Sequence, residues 1–199
     1  MRKILTINGS PVKNSSTKIL LDELVNGIKE NLAEPVKNKV VSLNDYKMLP
    51  CQACGENPEP DYCLYKDDIY PIYDYLINCD IILFGSPVYF DTVSAQAKLF
   101  IDRCNCLRPP DFNNDTGNHF KKIIPRKILG AIVLTGGLRG QFECARMVIA
   151  GFFKWIGVLN IGTISYTSPS WKAVGPVNND IAKLVEARRL GQKISSSLP

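Results

Sequence analysis

Residues 80–90 read Asp80-Ile81-Ile82-Leu83-Phe84-Gly85-Ser86-Pro87-Val88-Tyr89-Phe90. Four consecutive large apolar residues, without the polar alternation of a half-exposed strand, fit a strand covered on both faces, and Gly85-Ser86-Pro87 then opens a loop running to Asp91. Such strands belong in parallel sheets, and parallel neighbours need helical crossovers. The pattern to seek on either side is therefore strand, turn, helix.

Outward from this stretch the unit repeats. Lys3 to Asn8 is a short β-favouring run that stops at Gly9-Ser10-Pro11, and Ser15-Ser16-Thr17 opens a segment with Ile19, Leu20, Leu24, Val25, Ile28 and Leu32 at helical spacing. Lys39 to Leu43 is a second strand. Residues 44–66 are aperiodic and carry Pro and Cys, too long for a plain connection and thus a functional candidate. Asp67-Asp68 are expected to cap a helix reaching about Asn78. Beyond the opening stretch, a helix is predicted near Ser94 to Arg103, a strand at Lys127 to Leu134, and a turn at Thr135-Gly136-Gly137. A helix from Gln141 to Ile156, a strand from Asn160 to Tyr166 and a closing helix from Asn178 to Ser196 complete the chain. The alternation predicts a three-layer α/β sandwich, a five-stranded parallel sheet in order 2-1-3-4-5 with helices on both faces. No composition break divides it, so 1–199 read as a single domain.

The 199 residues are 45% hydrophobic and 22% charged, which excludes disorder as the main state, and 14 Gly and 13 Pro without period exclude a collagen-like chain. No apolar run approaches the ~20 residues of a membrane-spanning helix. Met1-Arg2-Lys3 and a few apolar residues do not make a secretory signal, so a cytoplasmic location is expected. The net charge of +5 is scattered, without a polybasic arm. Nucleic-acid binding is not expected, while a mildly positive field suits small phosphorylated ligands. The seven cysteines are expected to be mostly reduced thiols, with Cys79, Cys104, Cys106 and Cys144 as core-type residues.

Three loops, Gly9 to Thr17, Gly85 to Asp91 and Thr135 to Gly140, each follow the carboxyl end of a predicted parallel strand, where ligands bind in such sheets. They should meet. The first carries Ser10, Lys13, Asn14, Ser15, Ser16 and Thr17 at a helix start, where free N–H groups and the helix dipole favour an anion such as a terminal phosphate. The hydroxyls equally suit plain helix capping. The second loop places Pro87, Val88, Tyr89 and Phe90 either along a flat ring or folded back on the core. In the third, Thr135, Gly136 and Gly137 allow close backbone approach to a ligand, or simply turn the chain. The helix from Gln141, apolar nearly all round, is either deeply buried or part of a subunit contact. No G-x-x-x-x-G-K-[ST] or G-x-G-x-x-G occurs, which disfavours nucleotide hydrolysis and a dedicated dinucleotide domain. No cysteine is followed six positions on by Arg, which removes a phosphatase reading.

The run Asn8-Gly9-Ser10-Pro11 with Asn14, Ser15 and Thr17, together with Gly85 to Phe90, Val93-Ser94-Ala95-Gln96, Lys98 and Phe100 to Arg103, resembles the NADPH-dependent FMN reductase and iron-sulfur flavoprotein branch of the flavodoxin-like fold. The resemblance implies that Ser10, Ser15, Ser16 and Thr17, with Lys13 as the local cation, hold the FMN phosphate. Pro87 to Phe90 would line the isoalloxazine, and Thr135 to Gly137 would cover its pyrimidine edge. Gln96 to Arg103 would be scaffolding. Val12 stands where the family often has Arg, and Asp91 where Gly is usual. The expected activity is FMN-dependent oxidoreduction from NAD(P)H to a small acceptor, such as a quinone, nitro or azo compound, flavin or metal ion. Nicotinamide and acceptor would use one site in turn, with no catalytic side chain; an iron-sulfur flavoprotein or flavodoxin-like electron carrier without nicotinamide turnover is the alternative. The resemblance also implies a homo-oligomer.

Cys51-Gln52-Ala53-Cys54 followed by Cys63 is similar to the cysteine motif of the iron-sulfur members. Asn57 occupies the third position of C-x-x-C-x-x-C, and a cubane cluster normally takes four thiolates. A cluster, like a zinc site, would need an outside ligand, and His119 is the chain's one histidine. The expectation is a variant cluster loop whose thiols are free or redox-active, with a Cys51–Cys54 disulfide as an alternative.

Overall fold

The computed structural model describes residues 1–54, 62–107, 127–170 and 173–199; Asn57 and His119 lie outside the described residues. The elements in chain order are β1 (Arg2–Asn8), α1 (Ser16–Asn31), β2 (Val36–Ser42), α2 (Tyr70–Asn78), β3 (Ile81–Tyr89), β4 (Thr92–Val93), α3 (Ala95–Arg103), β5 (Ile128–Gly136), α4 (Glu143–Ile156), β6 (Val158–Thr167) and α5 (Ile181–Ser196). The long strands pair in parallel in the order β2-β1-β3-β5-β6, and β4 folds back antiparallel on the end of β3. Without that two-residue strand this is the expected 2-1-3-4-5 order.

Helices cover both faces because the strands are apolar on both faces. Along β3, Ile81 and Leu83 enter the core shared with α1 and α5, while Ile82 and Phe84 enter the core shared with α2, α3 and α4. On the second face Phe84, Phe100 and Phe152 form a ring cluster with centroids 5.9–6.2 Å apart, a separation suited to edge-on and tilted packing. On the first face α1 and α5 approach so closely that a Cβ on Gly27 would lie 2.0 Å from Arg188 O, and one on Gly191 2.2 Å from Leu24 O. Among the described residues no helix is long and apolar enough to cross a membrane.

The structure moves several expected boundaries. β3 does not stop at Gly85. It runs to Tyr89, because β5 goes on pairing with Gly85, Ser86 and Pro87 after β1 has ended opposite Gly85. Pro87 sits past the last β1 partner, where its missing N–H costs least. β2 begins at Val36, earlier than its apolar half suggests. α5 begins at Ile181, with Asp180 accepting from Lys183 N, and Asn178 and Asn179, expected to open it, belong instead to a separate 3₁₀ turn, Pro176–Asn179.

Asp67 and Asp68 do not cap α2, whose N-cap is Ile69. They accept instead from the loop beside them, Asp68 from Lys47 N at 2.8 Å and Asp67 from Leu49 N at 3.0 Å. The helix α4 is neither all buried nor all exposed. Ile149, Phe152, Phe153 and Ile156 enter the core, while Met147 and Trp155 look outward.

Candidate functional site

Building the site begins where β1 ends. Asn8 Oδ1 accepts from Ser10 N at 3.1 Å, and Ser10 Oγ accepts from Val12 N at 3.2 Å. Asn14, at φ +54°, then swings the chain into Ser15. Ser15 is the N-cap of α1, its Oγ accepting from Lys18 N at 3.3 Å. The amides of Ser16 and Thr17 lie in the first turn, where an α-helix offers no internal acceptor. Ser10, Ser15, Ser16 and Thr17 are all buried polar residues, and the Ser15 cap leaves the Ser16 and Thr17 amides without an internal acceptor.

Side-chain bonds then join the loops. Thr17 Oγ1 and Thr135 Oγ1 lie 2.7 Å apart. Ser94 Oγ donates to Gly9 O at 2.7 Å while accepting from Ala97 N at 3.2 Å, so the cap of α3 also holds the first loop. Gly136 O accepts from Ser168 N at 2.7 Å, bringing in the segment after β6.

The result is an open cleft of about 280 Å³ at the carboxyl ends of β1, β3, β5 and β6. The first loop contributes Ser10, Val12, Ser15, Ser16 and Thr17, and β3 contributes Pro87, Val88 and Tyr89. Thr135, Gly136 and Gly137 close one side. A Cβ on Gly137 would meet nothing within 4 Å, so backbone there borders open space. Two expected residues do not line it. Lys13 is exposed beside the loop, and Phe90 stands fully exposed at the tip of the β3–β4 turn.

Sequence reasoning missed the opposite wall, residues 168–170 and 173–176, which adds Ser168, Ser170 and Val174. The strand-end rule applied to β6 would have found it. Gly175 there has φ +60°, and a Cβ on it would fall 2.6 Å from Asn14 O. Among the described residues no charged side chain lines the cleft. Within that set, the α1 amides and the hydroxyls are the groups that can attract an anion.

The cysteine segment has a different organiser. Arg103, with its side chain 1% exposed, ion-pairs with Asp67 and donates to Leu49 O at 2.9 Å, Tyr65 O at 3.2 Å and Cys63 Sγ at 3.6 Å. Burial works against both charges, yet their mutual hydrogen bond wins: Asp67 is held below the usual carboxylate range and Arg103 is pushed further up. On the other side Tyr73 OH and Cys106 Sγ share Arg103 O, at 3.0 and 3.3 Å. Burial raises the Tyr73 hydroxyl, lifts Cys104 well above an ordinary thiol and pushes Cys106 up to about 11.

None of the seven cysteines is in a disulfide. Cys63 is buried against a guanidinium, whereas Cys51 is half-buried and Cys54 exposed. Among the described residues no three His, Cys, Asp or Glu side chains are grouped to hold a metal ion. Arg103 Nη2 lies 3.6 Å from Cys63 Sγ, and the three cysteines of this segment are one thiolate short of the four that a cubane cluster normally takes. A larger groove of about 930 Å³ runs between α3 and α4, lined in part by Cys51, Met147 and Trp155. It is away from the strand ends.

This arrangement can be compared with known proteins. An iron-sulfur flavoprotein of Methanocaldococcus jannaschii is 32% identical over 97% of this chain and 95% of its own. One of Methanosarcina thermophila is 32% identical over 82% and 79%. In structure, an azoreductase from Bacillus anthracis superposes with a TM-score of 0.69 over 97% of this chain and 100% of its own at 16% identity. An NAD(P)H:quinone oxidoreductase from Methanothermobacter marburgensis also gives 0.69, over 96% and 94%, at 16% identity. The two superpositions establish the flavodoxin-like fold. The model of the NADPH-dependent FMN reductase family matches residues 2–173, spanning the first three strand-end loops and most of the fourth, and this chain belongs to that family.

Proposed function

We propose that this protein, a flavin-dependent oxidoreductase by family, holds FMN in the strand-end cleft and passes reducing equivalents from NAD(P)H to a small acceptor. The observation that carries the reading is the meeting of the first turn of α1 with Pro87 to Tyr89 and Thr135 to Gly137 around one cleft. The residues fit the group. Ser10, Ser15, Ser16 and Thr17, with the Ser16 and Thr17 amides, offer donors to a phosphate. Lys13, exposed at the rim, adds long-range attraction only.

Pro87, Val88 and Tyr89 give a wall with little polar surface for a planar ring, and Thr135 to Gly137 present backbone to a ring edge. FMN, when bound, supplies the redox chemistry that no side chain here provides. The chain's part is to bind it, orient it and leave one side of the cleft open to nicotinamide and acceptor in turn. A small organic acceptor suits a cleft whose exposed lining includes Tyr89 and Val174. A homo-oligomer, frequent in the family, is part of the proposal. The cluster in the relatives' names is not carried over, because Cys51, Cys54 and Cys63 lack a fourth thiolate.

Titration of FMN with the protein, followed by flavin fluorescence, checks the cofactor, and anaerobic stopped-flow mixing with NADH and NADPH checks the activity. Saturable binding and flavin bleaching at turnover rates are expected. Absence of binding overturns the site, while binding without bleaching overturns the reductase and leaves an electron carrier.

A further inference from the structure

At the other end of the sheet, β1 and β2 start with charge where their neighbours carry core residues. Their register pairs Lys3 with Lys37 and Leu5 with Lys39. Alternate residues of a strand share a face, so all three lysines lie on the side of Leu5, Ile7 and Val41, which pack with α2, α3 and α4. Lys3, Lys37 and Lys39 open onto a cleft of about 400 Å³ whose facing wall is α2, with Asp74, Tyr75 and Asn78.

Lys39 Nζ lies 5.3 Å from the Tyr75 ring centroid. Among the described residues Asp74 is the one carboxylate lining the cleft, and it already accepts from Tyr62 OH at 3.3 Å. Asp80, at the margin, accepts from Lys3 N at 2.7 Å. Among the described residues none of the three lysines makes an ion pair.

Lysines on an edge strand guard against edge-to-edge pairing, and β2 is an edge. That accounts for Lys37 or Lys39. It does not account for Lys3, which is on an interior strand, nor for three ammonium groups sharing one cleft. Like charges directly opposite one another in a sheet are destabilising, and Lys3 faces Lys37. That leaves three lysines facing one lining carboxylate among the described residues.

We propose that this cleft is a second anion site, and that its ligand carries a diphosphate group. Lys3 and Lys37 are a strand spacing apart, about 4.8 Å, while Lys37 and Lys39 are separated by two residue rises, about 6.6 Å. The charge therefore spreads over more than one phosphoryl group, and lysines bind phosphate as adaptable point charges. The group arrives either as free diphosphate or as part of a nucleoside diphosphate, for which the half-exposed Tyr75 offers a ring to stack on.

Calorimetric titration of the full chain at fixed ionic strength, with sodium diphosphate and separately with ADP, tests it. Saturable one-to-one binding is expected. The affinity should fall at least tenfold in Lys37→Thr/Lys39→Thr, which places good strand formers on an exposed edge, and in Lys3→Gln. It should be unchanged in Ser15→Ala/Ser16→Ala, which alters the opposite end of the sheet. ADP binding as tightly as diphosphate shows that the anion alone is read, and ADP binding at least tenfold tighter shows that the nucleoside is read too. Absence of saturable heat with both probes, wild-type affinity in the folded lysine variants, or loss of binding on Ser15 and Ser16 replacement overturns the proposal.

Discussion

The carboxylate of Asp91 accepts the backbone N–H of Gln141 at 2.9 Å. Phe90 and Asp91, at φ +48° and +61°, are the two central residues of the turn between β3 and β4. Positive φ at both is the type I′ geometry that matches hairpin twist. Asp tolerates that conformation better than most residues, and here its side chain fastens the hairpin bearing Tyr89 to the segment leading into α4. Asp91 thus ties the turn after β3 to the loop after β5.

Asp91→Ala should cost about 1–2 kcal/mol, since it loses a hydrogen bond and puts a residue without local compensation at positive φ. Asp91→Gly should cost less, because only the bond goes. Urea denaturation of the three proteins gives the order wild type, Gly, Ala. Equal midpoints for all three would show that the turn is held by something else.

The contact between Thr17 and Thr135 couples the opening turn of α1 to the end of β5. Thr17→Val leaves the buried Thr135 hydroxyl without this partner and should destabilise by about 1–3 kcal/mol, whereas the double Val variant should recover part of that loss. A double-mutant cycle on unfolding free energy measures the difference. Strict additivity would deny the coupling. FMN affinity, read in the same proteins, should fall with Thr17→Val if the loop is displaced.

Removing one partner of a buried ion pair costs roughly 3–5 kcal/mol, and Arg103→Met should approach that figure because Asp67, Leu49 O and Tyr65 O lose their donor together. Asp67 is lowered in the folded state. Its contribution is therefore present above the unfolded carboxylate pKa of about 4, and is lost as pH falls through the lower folded value. Acid titration with a thiol reagent that reports exposure of Cys63 should show release of the segment below about pH 4. Asp67→Asn should flatten that dependence. An unchanged acid profile in the variant would assign the transition to other carboxylates.

With its pKa pushed up to about 11, Cys106 holds at neutral pH roughly a few hundred-fold less thiolate than an ordinary cysteine of pKa near 8.5. Brief iodoacetamide labelling at pH 7.5, mapped by mass spectrometry, should mark exposed Cys54 and Cys144 first and leave Cys104 and Cys106 until the protein is unfolded. Early labelling of Cys106 would contradict its burial beside Tyr73.

Much of this was legible before the fold was seen. The apolar run Ile81 to Phe84 implied a strand covered on both faces, and its repetition implied the parallel sheet, because core burial writes itself into local pattern. Ser94 as a helix start and Ser15 as a cap were readable for the same reason. The Lys98–Asp102 pair, 2.7 Å apart on one helix, follows from i,i+4 spacing alone. The far wall of the cleft, at residues 168–170 and 173–176, was legible only as a strand-end loop after β6; nothing in Ser168 or Val174 told which of its side chains line the cleft.

Local sequence by itself determined which segments are strands and helices, which strand ends carry loops, and that three of those loops share one end of the sheet. Only the tertiary structure decided that Phe90 and Lys13 stand off the cleft, that Asp67 serves Arg103 rather than α2, and that Lys3, Lys37 and Lys39 share a cavity. The reason is physical. Periodicity and capping act between residues a few positions apart, whereas a side chain's partner across 36 positions, as for Arg103 and Asp67, exists only once packing has brought the two elements together.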